Sequence, residues 1–148
     1  MPRAVIYFKK PDPDRWFKND RVWRAKIRRA VRGEQNPGGI ELVYLNLLKG
    51  LDKLGVEYAT NIPFDEIRPT DLVGVIGIGK ESLEGYDKPN PILAGVIVTE
   101  HPSDWPTLFE DYPVARYVVH CDWAKAMYER YYGPRIVTWA VGIDTDDW

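Results

Sequence analysis

The sequence predicts an α/β fold: one domain over residues 1–148, a doubly wound, mainly parallel sheet with helices on both faces. Three observations lead there. Short β-rich apolar runs alternate with helical stretches along the chain. Several of those runs are continuously apolar, as strands covered on both sides are. One long segment keeps the apolar spacing of an amphipathic helix, and no repeat, low-complexity tract or linker divides the chain.

Ala4–Phe8 (AVIYF) reads as the first buried strand. Much of Asp14–Arg32 reads as helical, and Asn36-Pro37-Gly38-Gly39 as a turn. Apolar residues at Ile40, Val43, Tyr44, Leu47, Leu48, Leu51 and Leu54 then fall on one helix face. Gly55 stands where a helix-ending glycine belongs, and Lys49 and Lys53 complement the negative helix end. Val56–Thr60, Leu72–Gly77, Gly95–Thr99, Arg116–His120 and Arg135–Trp139 read as further strands. Ser103 is placed to cap a short helix over Asp104–Asp111. Asp122 is placed to cap a helix over Trp123–Tyr132 that ends at Gly133-Pro134. Right-handed crossovers would collect the strand carboxyl ends, and any site, along one edge.

Composition narrows the function classes. With 45% hydrophobic and 28% charged residues the chain can build a core, which argues against disorder. Cys121 is the single cysteine, so neither an internal disulfide nor a cysteine-rich zinc site is available. A net charge of -2 gives no polycation for nucleic acid, and no nucleic-acid partner is expected. No apolar run approaches a membrane span, and Ala4–Phe8 is too short for a secretory core and ends in Lys9-Lys10. The expected location is the cytoplasm. The exception to the even charge is residues 15–32, with eight basic side chains against Asp20. Arg24, Arg28 and Arg29 lie there among Trp16, Phe17, Trp23 and Ile27. Such a segment suits peripheral contact with an anionic membrane or with acceptor phosphates, or is a packed aromatic helix with a solvated basic side.

Among candidate sites, Gly38 and Gly39 open the strongest helix, where free N–H groups and the helix dipole favour an anion. A plain loop before a helix accounts for the same glycines. Gly74–Glu81 (GVIGIGKE) nearly matches a phosphate-loop pattern but has Glu81 where Ser or Thr is needed. Its first glycines also lie in an apparent strand, so small residues for close packing account for it better. His101 follows an apolar run and can donate to a sugar hydroxyl or phosphate or act as a base, or can be a solvated loop histidine. His120 and Cys121 are neighbours in an extended run, so their side chains diverge and Cys121 reads as a packing residue. No metal set is expected from two histidines, and Asp144, Asp146 and Asp147 read as solvated.

Three of these segments, in order, resemble a known family. Asn36-Pro37-Gly38-Gly39-Ile40-Glu41 with the helix after it is similar to the P-G-G-[VI] loop and first helix of GT-B glycosyltransferases of the retaining, family 4-like kind. Val98-Thr99-Glu100-His101 is similar to that family's strand ending in T-x-H. Val118–Ala124, Tyr132-Gly133 and Ile136–Asp144 are similar to its V-x-x-S-x-W/F, helix, strand and P-N-G-[VI]-D stretch. Cys121 replaces the family's serine, Ala140-Val141 its P-N, and the insertion Pro11–Gln35 is longer.

The resemblance implies the Rossmann-like, acceptor-side N-terminal half of a GT-B fold, with the donor-binding C-terminal domain absent after Trp148 and supplied in cis or in trans. It implies a hexosyltransferase whose isolated chain is inactive, with a nucleotide-sugar and a glycosyl acceptor as substrates and no metal or other cofactor. Gly38, Gly39 and Glu100 would then contact substrate or phosphate, and His101 would be catalytic, lining the cleft near the transferred sugar. Two alternatives stay open. One is a non-catalytic Rossmann-like scaffold docking to membrane or protein through the basic aromatic segment. The other is an α/β enzyme acting on a phosphorylated small molecule.

Overall fold

The structure is a computed structural model that describes residues 2–9, 39–77, 82–96 and 101–140. The helix expected over Asp14–Arg32, the turn before Gly39 and the acidic tail lie outside the described residues. Nine elements follow in chain order: β1 (Ala4–Phe8), α1 (Gly39–Lys53), β2 (Tyr58–Thr60), β3 (Leu72–Ile76), β4 (Ile92–Gly95), α2 (Leu108–Asp111), β5 (Val114–Val119), α3 (Asp122–Tyr132) and β6 (Ile136–Thr138).

The strands form a single six-stranded sheet in the order β2-β1-β3-β4-β5-β6, and every pair is parallel. This is a Rossmann-like α/β architecture. The chain steps outward from β1 to β2, jumps back across β1 to β3, and then runs steadily to β6. Right-handed crossovers turn that reversal into two layers, because connections running in opposite directions cover opposite faces. On one face α1 lays Ile40, Tyr44, Leu47 and Leu51 against Ile6, Phe8 and Ile76. On the other, Leu83, Tyr86, Trp105, Leu108 and α3 close over Val5, Val75, Ala94 and Val119. The second core is the larger and is rich in tyrosine. Tyr117 stacks on Tyr128 at 5.1 Å, and Phe109 meets Tyr132 edge-on at 5.1 Å. Each such pair adds roughly 0.5–1.5 kcal/mol beyond its buried area.

Polar groups in this interior are paired. Tyr7 Oη donates to Ile62 O at 2.8 Å and Tyr86 Oη to Asn90 O at 2.9 Å, and burial pushes both phenols up to about 12. Tyr132 Oη donates to Trp105 O at 2.9 Å, tying α3 to the loop after β4. At the amino edge of the sheet Arg3 Nη2 lies 2.6 Å from Asp71, whose side chain is 1% exposed. Asp71 also accepts from the Arg68 N–H at 2.8 Å, and the Arg3 guanidinium holds its carboxyl below the usual range.

The element boundaries differ from the sequence reading in instructive places. α1 ends at Lys53, and Leu54 is exposed in the turn, off the apolar face. Gly55 takes φ +64° there, donating to Asp52 O while Val56 donates to Leu51 O. Those two bonds form a Schellman motif, which holds Val56 to the helix and delays β2 to Tyr58. Of the strand expected over Gly95–Thr99, residues 97–99 lie outside the described residues; β4 spans Ile92–Gly95 and ends there, because Gly95 at φ +102° and Val96 at φ +71° break the extended backbone. β5 starts two residues early, at Val114, and β6 spans Ile136–Thr138. The helix expected over Asp104–Asp111 is split into a 3-10 turn over Pro102–Asp104 and α2. Pro106, which has no N–H, stands between them. His101, not Ser103, caps the first piece.

Candidate functional site at the carboxyl edge of the sheet

In an open parallel sheet, ligands sit beyond the strand carboxyl ends where the strand order reverses. Here that point lies between β1 and β3. Phe8 pairs with Ile76 at its rim. α1 starts there too: the Tyr44 ring stacks on Phe8 at 4.6 Å, and Ile40 packs against the same cluster. Gly39, the first residue of α1, therefore stands beside the crevice. Leading N–H groups of a helix have no partner within it and carry the positive end of its dipole. Glu41 in the first turn adds a carboxylate to that end.

The backbone along this edge is shaped to turn sharply. Gly77 takes φ +64° and donates to Gly95 O at 3.0 Å. Val96 donates to Val118 O at 2.8 Å and Trp139 to Val119 O at 2.8 Å, so the ladder runs on past the strands. Val96, β-branched at φ +71°, is the strained residue of the edge, since such residues rarely enter the left-handed region. On the outer side of β1, Asn61 at φ 49° accepts from the Phe8 N–H at 2.9 Å and donates its own N–H to Ile6 O. Sequence reasoning passed over Asn61 and Val96. Asn61 carried a signal, because asparagine tolerates a left-handed turn, whereas valine argues against one.

His101 stands elsewhere. It is exposed, and its Nδ1 lies 2.7 Å from Ser103 Oγ and 3.3 Å from the Ser103 N–H. A backbone N–H can only donate, so Nδ1 accepts, and in the neutral ring the proton sits on Nε2. The ring as capped presents a donor and no free base. Its other neighbour is Tyr131, edge-on at 5.4 Å, in the last turn of α3. α3 leaves the carboxyl end of β5 and returns toward the start of β6, so this turn is the end remote from the edge. His101 thus lies in the layer opposite α1. Gly38, Glu100, Arg24, Arg28 and Arg29 lie outside the described residues.

The remaining sequence candidates resolve simply. Gly74 lies inside β3, where a Cβ would meet Ile6 Cδ1 at 3.0 Å, so it serves close packing. Cys121 is half-buried against the larger core and precedes α3 without a capping hydrogen bond. Asp122 is the first residue of α3 rather than its cap, and its Oδ1 accepts from Thr138 Oγ1 at 3.3 Å. His120 is exposed and meets the Trp123 ring edge-on at 6.1 Å. Among the described residues no group of His, Cys, Asp and Glu could hold a metal ion, and no helix is long and apolar enough to cross a membrane. No protein-family model, no curated protein and no solved structure matches the chain.

Proposed function

We propose that the chain is the acceptor-side half of a glycosyltransferase site. In this reading it moves a sugar from a nucleotide-sugar to an acceptor, and a donor-binding domain in cis or in trans completes the cleft. One placement supports it: Gly39 opens α1 beside the β1/β3 switch point, next to the rim formed by Phe8 and Ile76. A helix start at a switch point suits a phosphate-bearing substrate, because its dipoles are fixed before the ligand arrives. Gly38, Glu100, Arg24, Arg28 and Arg29 enter from the sequence resemblance. His101 enters from the sequence resemblance alone, because its ring lies against Tyr131 in the last turn of α3, away from the edge. In this reading the donor-binding domain supplies the other half of the site.

The test titrates UDP-glucose, GDP-mannose and inorganic pyrophosphate onto the chain by amide NMR, then measures sugar transfer in the two-domain assembly. The expected result is shifts at Gly39 and Ile40, and a loss of transfer in Gly39→Val and His101→Ala that exceeds any loss of stability. Unchanged transfer in Gly39→Val removes the phosphate role. Unchanged transfer in His101→Ala removes the histidine.

A further inference from the structure

A second feature of the carboxyl edge lies at its β5/β6 end. Two indoles are exposed there: Trp123 at 65% and Trp139 at 41%. Trp123 leaves most of its large apolar ring open, and Trp139 adds a second partly open ring on the same edge. Backbone register gathers them. Thr138 pairs with Val119, and the next residue, Trp139, donates to Val119 O, which brings it beside His120. His120 in turn stands edge-on to Trp123. Asp122, between them in sequence, is steadied by Thr138 Oγ1 on one oxygen, leaving the other to accept. Flat indole, imidazole edge, carboxylate and hydroxyl therefore share one patch.

The chemistry selects the ligand. An indole face takes a flat ring or the C–H face of a sugar. Among the described residues the fixed charge in the patch is the Asp122 carboxylate, and the first cation along α3, Lys125, is engaged with Glu129 at 3.7 Å. A phosphate backbone is repelled by such a charge, whereas the hydroxyls of a neutral saccharide donate to it.

We propose that Trp123, His120 and Asp122 form a saccharide-binding platform in which a pyranose ring stacks on Trp123 and its hydroxyls bond to Asp122 and His120. This deepens the reading above, on which it rests, by making the acceptor a neutral glycan that reaches the edge from the β5/β6 end.

The test uses the chain alone, with maltohexaose, cellohexaose and tetra-N-acetylchitotetraose as probes, followed by tryptophan fluorescence and saturation-transfer NMR. UMP and AMP serve as competitors. At least one oligosaccharide is expected to bind in the micromolar to millimolar range. Trp123→Ala weakens it about tenfold or more, Trp123→Phe recovers part of the loss, and Asp122→Asn weakens it less. Trp123 is mostly exposed, so melting curves of these variants stay close to the parent. Failure of all three oligosaccharides to bind, binding indifferent to Trp123→Ala, or a nucleotide alone engaging Trp123 overturns the platform. The two readings separate cleanly. Saccharide binding without transfer in the assembly removes the transferase, and transfer without Trp123-dependent binding removes the platform.

Discussion

Replacing Gly95 by alanine should damage this domain more than any other single methyl added at a described glycine. Two costs combine. At φ +102° the added Cβ strains the local backbone, by roughly 1–2 kcal/mol for an L residue. The same Cβ would stand 2.3 Å from Val118 O and 2.9 Å from Tyr117 Cε1, against 3.4 Å or more in an ordinary contact. Val118 O belongs to the neighbouring strand and cannot rotate away, so β4 and β5 must part by about an ångström, a typical overpacking cost. Parting them stretches the Val96 N–H bond to the same oxygen, now 2.8 Å, and forfeits about 1 kcal/mol more. The expected total is about 3–5 kcal/mol, a large share of an ordinary domain's stability. In a chain of this size that lowers Tm by roughly 6–20 °C. Gly55→Ala is the control. Its φ of +64° is also left-handed, but its Cβ would meet nothing within 4 Å, so it should cost about 1 kcal/mol. Urea unfolding of the two variants, with unchanged m-values, measures the difference. Equal costs would refute the steric argument and the β4–β5 approach on which it rests.

Two further outcomes follow from the buried polar groups. Tyr132→Phe deletes the hydroxyl that donates to Trp105 O, leaves that buried carbonyl with the Leu108 N–H at 3.3 Å, and should cost about 1 kcal/mol in urea unfolding. Asp71 contributes to acid stability: its folded carboxyl, bonded by Arg3, titrates below its unfolded value near 3.8. Its contribution is therefore fully present above that value and disappears as the pH falls through the lower folded one. Asp71→Asn should be less stable at pH 7 and show a flatter decline below about pH 4 in pH-dependent melting. Parallel curves for the two proteins would remove Asp71 from the acid transition.

Much of this fold was legible in the sequence because burial writes it plainly. The continuous apolar run at Ala4–Phe8 is a strand covered on both faces, and that at Leu72–Gly77 is β3 as far as Ile76, with Leu72 exposed at its start and Gly77 turning off at φ +64°. The α1 stripe was legible for the same reason, since a helix must turn one side to a core. Boundaries were lost where one residue overrode its neighbours. The run through Val96 and beyond looks uniformly apolar, yet Gly95 ends the strand with a backbone turn that hydropathy cannot register. Asp122 looks like a cap, but Thr138, 16 residues away, engages its carboxylate. His101 and Gly39 each follow a strand in sequence, and that suggested a shared rim. Which layer a connection crosses depends on the direction of strand order, which local pattern does not carry. The exposed Trp123 gave no signal either, because an indole at a helix start reads the same buried or bare.

The two outermost strands, β2 and β6, span only three residues each. Pro63 follows the one closely and Pro134 precedes the other, each unable to offer an N–H. An unpaired strand rim invites neighbouring molecules to extend the sheet, and short rims flanked by proline deny them length. The same brevity that makes these strands easy to overlook in the sequence should therefore keep concentrated solutions of the protein from zipping together flank to flank.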